Sequence, residues 1–248
     1  MFAPSGTLRQ EIEAGARPDL FASADFGNPL ALEQEGLAGP VTGFASNPLV
    51  AVAAPGLPVN SGNLLATLLN PAVTRGTSTP VSDPLGDYTE QLFAKANTLV
   101  PRAQQTLDAK AQRLIGGPAS PPVPPGQNSL VYFIEVTKQA DIFLAYSTMA
   151  SAALAIAPDL QLIDLPSDIA VTGEFGLTVL NGAAPGSAAL ESYILSPAGQ
   201  AVLASFGFGP PAAVPEPATV LVLGVALAVF AAMRRRIRYG SSPLFCGN

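Results

Sequence analysis

The stretch from Ser5 to Asp25, S-G-T-L-R-Q-E-I-E-A-G-A-R-P-D-L-F-A-S-A-D, indicates the fold most directly. It opens with hydroxyl residues of the kind that cap helices, and Leu8 and Ile12 follow at helical spacing before Gly15, a typical helix end. The largely apolar run that ends at Asp25 is typical of a buried strand entering a loop. The stretch therefore predicts a helix over 7–14 and a strand over 19–25.

The alternation of helix and strand continues along the chain. Residues 47–54 (NPLVAVAA) form a second apolar run, closed by Pro55-Gly56. Apolar runs without inward and outward alternation suit a parallel sheet covered on both faces. The pattern predicts a doubly wound α/β architecture, with further strands over 74–79, 141–147, 160–165 and 174–180 and helices over 64–69, 87–99, 101–115, 128–137, 185–195 and 197–206.

The charge distribution bears on possible partners. The formal net charge is −6, and four of the twelve basic residues lie within 234–238. Upstream of that cluster, eight basic residues oppose all eighteen acidic ones. A surface this acidic repels a phosphate backbone, which argues against nucleic-acid binding.

Two residue types are missing or nearly so. The chain has no histidine, and its one cysteine, Cys246, is the third residue from the end. A Ser-His-Asp triad, a Cys-His pair and a His/Cys metal cluster are therefore excluded. Carboxylates alone would have to supply catalysis, so we expect a protein that is not an enzyme.

An uncharged run marks the C-terminal part. Residues 218–233 (ATVLVLGVALAVFAAM) carry no charge and would span roughly 24 Å as a helix. The alternative is a buried core helix, but such a helix usually keeps a polar face and this run has none. We expect a transmembrane anchor over 218–238, with a linker over 210–217, cytoplasmic arginines at 234–238 and a tail over 239–248.

The order Val214-Pro215-Glu216-Pro217, apolar run, arginine cluster resembles the PEP-CTERM sorting signal of bacterial exported proteins. The resemblance implies a membrane-embedded, exosortase-type sorting enzyme as a partner. It also implies an exported protein on the periplasmic or cell-surface side. The ten-residue tail departs from such signals, which usually end soon after the basic residues.

The beginning of the chain lacks the export signal that this location requires. Residues 1–6 (MFAPSG) contain neither a basic region nor an apolar core. From the sequence alone we expect that the recorded start is internal or that the gene is truncated.

Several segments, in order over residues 3–209, resemble the molybdate-binding proteins of ABC transporters. They are the 5–25 stretch, Asn47–Val52 (NPLVAV), Asp83–Tyr88 (DPLGDY), Ala140–Tyr146 (ADIFLAY) and a closing segment from Ser196 to Phe208. The resemblance implies an α/β, two-lobed class II periplasmic-binding-protein fold whose first strand is missing. It places lobe 1 at 1–72 and 168–209 and lobe 2 at 76–165.

The same resemblance implies a ligand, a partner and a site. The ligand is molybdate or tungstate, the partner is an ABC permease, and no cofactor is expected. The implied donors are the hydroxyl and amide of Ser5, the amides of Leu85 and Gly86, an amide in the turn at Gly126, and the phenol of Tyr146. Helix N-termini and hydroxyls suit a dianion that needs only donors. The missing first strand would remove one further hydroxyl ligand.

Simpler roles stay open for these residues. Ser5 could only cap its helix, Leu85 could only form a turn, and Tyr146 could only bond to backbone at a strand end. The main alternative function is a membrane-anchored surface or matrix protein that reuses the solute-binding fold without transport.

Overall fold

The computed structural model describes residues 1–212. The end of the predicted linker, the predicted anchor at 218–238 and the predicted tail lie outside the described residues. Within the described part, no helix is long and apolar enough to cross a membrane.

A seven-stranded mixed sheet forms the centre of the structure. The path of paired strands is β1-β7-β2-β5-β3-β4, and β6 also pairs with β2. The strands are β1 Leu20–Ser23, β2 Thr42–Ala53, β3 Arg75–Ser78, β4 Ala111–Ile115, β5 Ile142–Tyr146, β6 Gln161–Asp164 and β7 Thr172–Val179.

Helices cover both sides of this sheet and connect its strands. They are α1 Ser5–Glu13, α2 Gly27–Gln34, α3 Leu64–Leu69, α4 Pro84–Leu99, α5 Ala103–Lys110, α6 Ser129–Val131, α7 Ser147–Ile156, α8 Ser187–Leu195 and α9 Pro197–Ser205. A π-helical turn, Tyr132–Val136, continues α6.

The long strand β2 joins two parts of the sheet. Its first part, residues 42–48, pairs with β7, and its second part, residues 49–53, pairs with β5 and β6. The chain therefore passes between the two parts near 48–49 and returns between β6 and β7. The lobe boundaries stay a prediction, and the pairing places the end of β2 with strands of lobe 2.

The expected parallel sheet is wrong for most of the pairings. β2 pairs antiparallel with β5, β6 and β7, and β1 pairs antiparallel with β7. Within the described residues the parallel pairings are β3 with β4 and β3 with β5. A strand buried on both faces gives a continuous apolar run whatever the direction of its neighbours, which is why the run in β2 did not reveal direction.

The predicted helix over 101–115 is also corrected. α5 ends at Lys110, and the next five residues form β4 beside β3. Arg113 donates to Thr77 Oγ1 at 3.0 Å and to Glu90 Oε1 at 2.6 Å. These tertiary bonds favour an extended conformation over the local helical preference.

Two helices were not expected, α2 and α7. α7 (STMASAALAI) is rich in alanine and small polar residues, so its two faces differ little. Its N-terminus is held by Asn47 of β2, whose Oδ1 accepts from Ser147 Oγ at 2.9 Å. Asn47 Nδ2 also donates to Thr148 Oγ1 at 2.8 Å. Because the side chain that holds the start of α7 lies 100 residues away in the sequence, no local pattern predicts this helix.

Candidate functional site

The first turn of α1, in the predicted lobe 1, contacts the loop before α4, in the predicted lobe 2. Ser5 is buried, and its Oγ accepts the amide of Ala24 at 3.1 Å. The next amide, of Gly6, donates to the carbonyl of Ser82 at 3.0 Å. Because Ser5 Oγ already accepts from Ala24, its own proton is left to donate.

Gly6 is required for this approach of the two lobes. A Cβ atom added there would lie 2.1 Å from the carbonyl oxygen of Val81. Val81 itself has a φ of 69°, and its amide donates to Asp87 Oδ1 at 2.9 Å. The loop thus presents carbonyl oxygens to α1, and any larger residue at position 6 would collide with the carbonyls of Val81 and Ser82.

The N-terminus of α4 holds two of the predicted donors, Leu85 and Gly86. The Asp83 side chain caps this helix and accepts the amide of Leu85 at 3.1 Å, and the Asp83 carbonyl accepts the amide of Gly86 at 2.9 Å. Both amides therefore have protein acceptors here. Their role as ligand donors stays a prediction.

Tyr146 ends β5 and is 6% exposed. Its hydroxyl is buried and has no hydrogen-bond partner. Its ring packs edge-on against Tyr88 and Phe175, with centroids 6.4 Å and 5.3 Å away. A buried hydroxyl without a partner costs free energy, so it points to a partner that is absent from the protein itself.

Gly173 makes room for the two tyrosine rings. A Cβ atom there would lie 2.9 Å from Tyr146 Cε1 and 3.1 Å from Tyr88 Cε2. Burial holds the pKa of Tyr146 well above its usual value, and the nearby Asp83, Asp25 and Asp87 add to this shift. The phenol therefore stays protonated and remains a donor.

Tyr88 of α4 bonds to the backbone of β7, a strand of the predicted lobe 1, and was not among the predicted site residues. Its hydroxyl donates to the carbonyl of Glu174 at 3.2 Å and accepts the amide of Glu174 at 3.0 Å. Burial raises the pKa of Tyr88 to about 12. This reciprocal pair therefore persists across the physiological pH range.

The carboxylates of Asp25, Asp83 and Asp87 lie near the two tyrosines, and each accepts a hydrogen bond from a nearby backbone amide. Asp25 accepts Ser23 Oγ at 2.8 Å and the amide of Asn28 at 3.0 Å. Burial raises the pKa of Asp83 and of Asp87, and Asp25 adds to both shifts. Within residues 1–212 no group of three or more His, Cys, Asp or Glu side chains is placed to hold a metal ion.

Comparison with known proteins decides the family. Residues 1–209 match the model of the bacterial extracellular solute-binding protein family. The chain belongs to this solute-binding family. An uncharacterized protein of Pasteurella multocida strain Pm70 is 31% identical over 210 residues, which cover 84% of this chain and 86% of that protein. Residues 213–236 match the PEP-CTERM protein-sorting motif, which confirms that resemblance.

Solved structures share the fold of this solute-binding protein. The periplasmic molybdate-binding protein of Azotobacter vinelandii has a TM-score of 0.63 at 19% identity, with 84% of this chain and 85% of that chain covered. The substrate-binding domain of a putative molybdenum ABC transporter from Clostridium difficile gives 0.56 at 19% identity, with 85% and 84% covered. The sulfate-binding protein SubI of Mycobacterium tuberculosis gives 0.65 at 17% identity, with 87% and 75% covered.

Four of the five predicted residues, Ser5, Leu85, Gly86 and Tyr146, lie at the start of α1, the start of α4 and the end of β5. Gly126 lies instead in an exposed turn before α6 with a φ of 81°, and a Cβ atom added there would meet no atom within 4 Å. Sequence reasoning missed Tyr88 and Gly173 as site residues. The Asp83-Pro84 pair was the available signal for the α4 cap, whereas nothing local marked Gly173.

Proposed function

We propose that this solute-binding protein binds a tetrahedral oxyanion, molybdate or tungstate, between its lobes and delivers it to an ABC permease. The observation that carries the proposal is the buried Tyr146 hydroxyl without a partner. Its ring packs against Tyr88 of α4, and Asp83 and Asp87 near the start of that helix and Asp25 after β1 add to the rise of its pKa. The proposal assigns no catalysis to the protein.

Neutral donors suit a ligand that must later be released. A fully deprotonated oxyanion accepts hydrogen bonds and offers none, so a hydroxyl or amide matches it without a counter-charge. The phenol of Tyr146 and the hydroxyl of Ser5 can both donate. The neighbouring Asp83, Asp87 and Asp25 oppose an anion, so hydrogen bonds must supply the affinity.

In this proposal delivery requires the lobes to open, and the bond from the Gly6 amide of α1 to the Ser82 carbonyl before α4 would have to break. Closure around a ligand is a common motion in two-lobed binding proteins, and the closed form would be recognised by the permease. The alternative is a surface or matrix protein that keeps the fold without transport. Retained oxyanion binding favours the first function.

We also propose that the protein is exported and anchored. The PEP-CTERM match at 213–236 and the uncharged run at 218–233 support a membrane segment with the arginines in the cytoplasm. A membrane-embedded sorting enzyme would then act on the Pro215-Glu216-Pro217 segment.

The ligand is tested by thermal unfolding with molybdate, tungstate, sulfate and phosphate. An anion at about 100 times its dissociation constant adds about 2.7 kcal/mol, which raises the melting temperature by several degrees. We expect this for molybdate and tungstate and much less for the other two. An equal response to all four would contradict a selective site.

An Asp87→Asn variant tests the sign of the ligand's charge in the same assay. The amide keeps an oxygen for the bond from the Val81 amide but removes a negative charge. Affinity for an anion should rise, whereas affinity for a cation would fall. A fall for molybdate would overturn the proposed ligand class.

A further inference from the structure

The last two helices and the residue after them expose four large apolar side chains. The exposed fractions are 51% for Leu190, 52% for Tyr193, 47% for Val202 and 70% for Phe206. Leu190 and Tyr193 are three residues apart on α8 and share one side of that helix. Val202 lies on α9, and Phe206 follows the last residue of α9, four residues after Val202. We call these four residues the outer face of α8–α9.

Other apolar residues of the same helices pack inward. Ile194, Leu195 and Leu203 pack against the main core. Gly199 brings the two helices together, because a Cβ atom there would lie 2.2 Å from the carbonyl oxygen of Tyr193. The outer face therefore belongs to a well-packed helix pair.

This part of the chain is almost free of charge. Glu191 is the only charged residue from 175 to 212, although the described chain is acidic elsewhere. A large exposed apolar surface usually marks an interaction site. An apolar surface without charges suits the interfacial region of a bilayer, because no charged group has to lose its water there.

The chain after α9 stays bonded to lobe 1 until shortly before the predicted anchor, which limits how far the anchor can lie from this lobe. Ser46 exchanges backbone hydrogen bonds with Gly209, and its Oγ donates to the carbonyl of Pro210 at 2.7 Å. The amide of Ala212 donates to Glu174 Oε2 at 3.2 Å. The chain is thus held on lobe 1 up to Ala212. Five residues then precede the uncharged run at 218, and five residues span at most about 18 Å.

We propose that the outer face of α8–α9 lies in the interfacial region of the same bilayer that the predicted anchor enters. This inference rests on the proposed anchoring of residues 218–238. It assigns the membrane contact to lobe 1 and leaves lobe 2 free to open and close. Amphipathic helices that lie in this region bury their apolar side about 5–10 Å into the boundary of headgroups and acyl chains.

The chain contains no tryptophan, so single-tryptophan variants can report on lipid contact. The full chain is reconstituted in phosphatidylcholine vesicles whose acyl chains carry bromine, a fluorescence quencher. Tyr193→Trp and Phe206→Trp report on the outer face. Val136→Trp and Ile156→Trp are matched controls on lobe 2, where the native side chains are 61% and 64% exposed.

We expect bromolipid to quench tryptophan at 193 and 206 and to leave the controls unquenched. Adding Val202→Glu to the Phe206→Trp variant should abolish quenching while vesicle flotation persists, because the anchor is untouched.

Flotation without quenching at 206, or equal quenching at all four positions, would overturn the inference but not the anchor. A lipid-independent emission shift that grows with protein concentration would assign the face to a second copy instead. Loss of flotation would overturn the anchor and the inference together.

Discussion

Among single residues, Tyr146 makes the most direct test of the site. Its hydroxyl has no partner in the unliganded protein, so Tyr146→Phe should leave the free energy of unfolding unchanged or raise it. A hydrogen bond to an anion contributes about 1.5–3 kcal/mol, so the same change should weaken oxyanion binding about ten- to a hundred-fold. Denaturant unfolding and calorimetric titration measure the two quantities. Tyr132→Phe serves as the control, because Tyr132 lies on the π-helical turn away from the lobe junction. An unchanged dissociation constant for Tyr146→Phe would remove this residue from the site.

Among the elements, the start of α4 makes stability depend on pH. Burial raises the pKa of Asp83, so the folded state binds more protons than the unfolded state between the usual value of 3.8 and the raised one. The free energy of unfolding should therefore fall as pH rises through this interval. Asp83→Asn cannot titrate but still caps the helix, so the fall should be smaller and the variant more stable at pH 7. Denaturant unfolding from pH 3.5 to 7 compares the two proteins. A steeper fall in the variant would show that the carboxylate charge stabilises the turn.

For the whole molecule, Tyr88 should set how firmly the lobes close. Tyr88→Phe removes both hydrogen bonds to the Glu174 backbone across the junction. Two such bonds contribute about 1–3 kcal/mol to the closed form, so the unliganded protein should be more open and should bind its ligand about ten-fold more weakly. Small-angle scattering with and without molybdate measures the opening. The exposed Tyr193→Phe is the control. If scattering and affinity both match the wild type, Tyr88 does not control closure.

The sequence predicted most elements because their signals are local. α3 was predicted at its observed bounds, and α8 and α9 within two residues of theirs. Cap residues, apolar spacing and proline positions are properties of neighbouring residues, so they survive without tertiary context. β4 and α7 were missed because their stability depends on partners elsewhere. Arg113 finds Thr77 and Glu90, and α7 takes its cap from Asn47.

The features of the candidate site also fall into two groups, those with a local sequence signal and those that depend on contacts between distant segments. Ser5 and Tyr146 stand at a helix start and a strand end that the sequence marks clearly. The acceptors of the Leu85 and Gly86 amides, the pairing of Tyr88 with Glu174 and the space left by Gly173 appear only when distant segments meet. The predicted ligand amide in the turn at Gly126 rested on the family resemblance, and this turn lies exposed.

By itself the sequence determined the α/β class, the solute-binding family, the sorting motif and the absence of histidine chemistry. Each follows from residue type and spacing along the chain. Tertiary structure alone decided the antiparallel neighbours of β2, the contact of Gly6 with the α4 loop and the burial of an unpartnered hydroxyl at Tyr146. The reason is physical: strand direction, close approach and desolvation depend on which distant atoms fill the space around a residue, and spacing along one chain does not encode that.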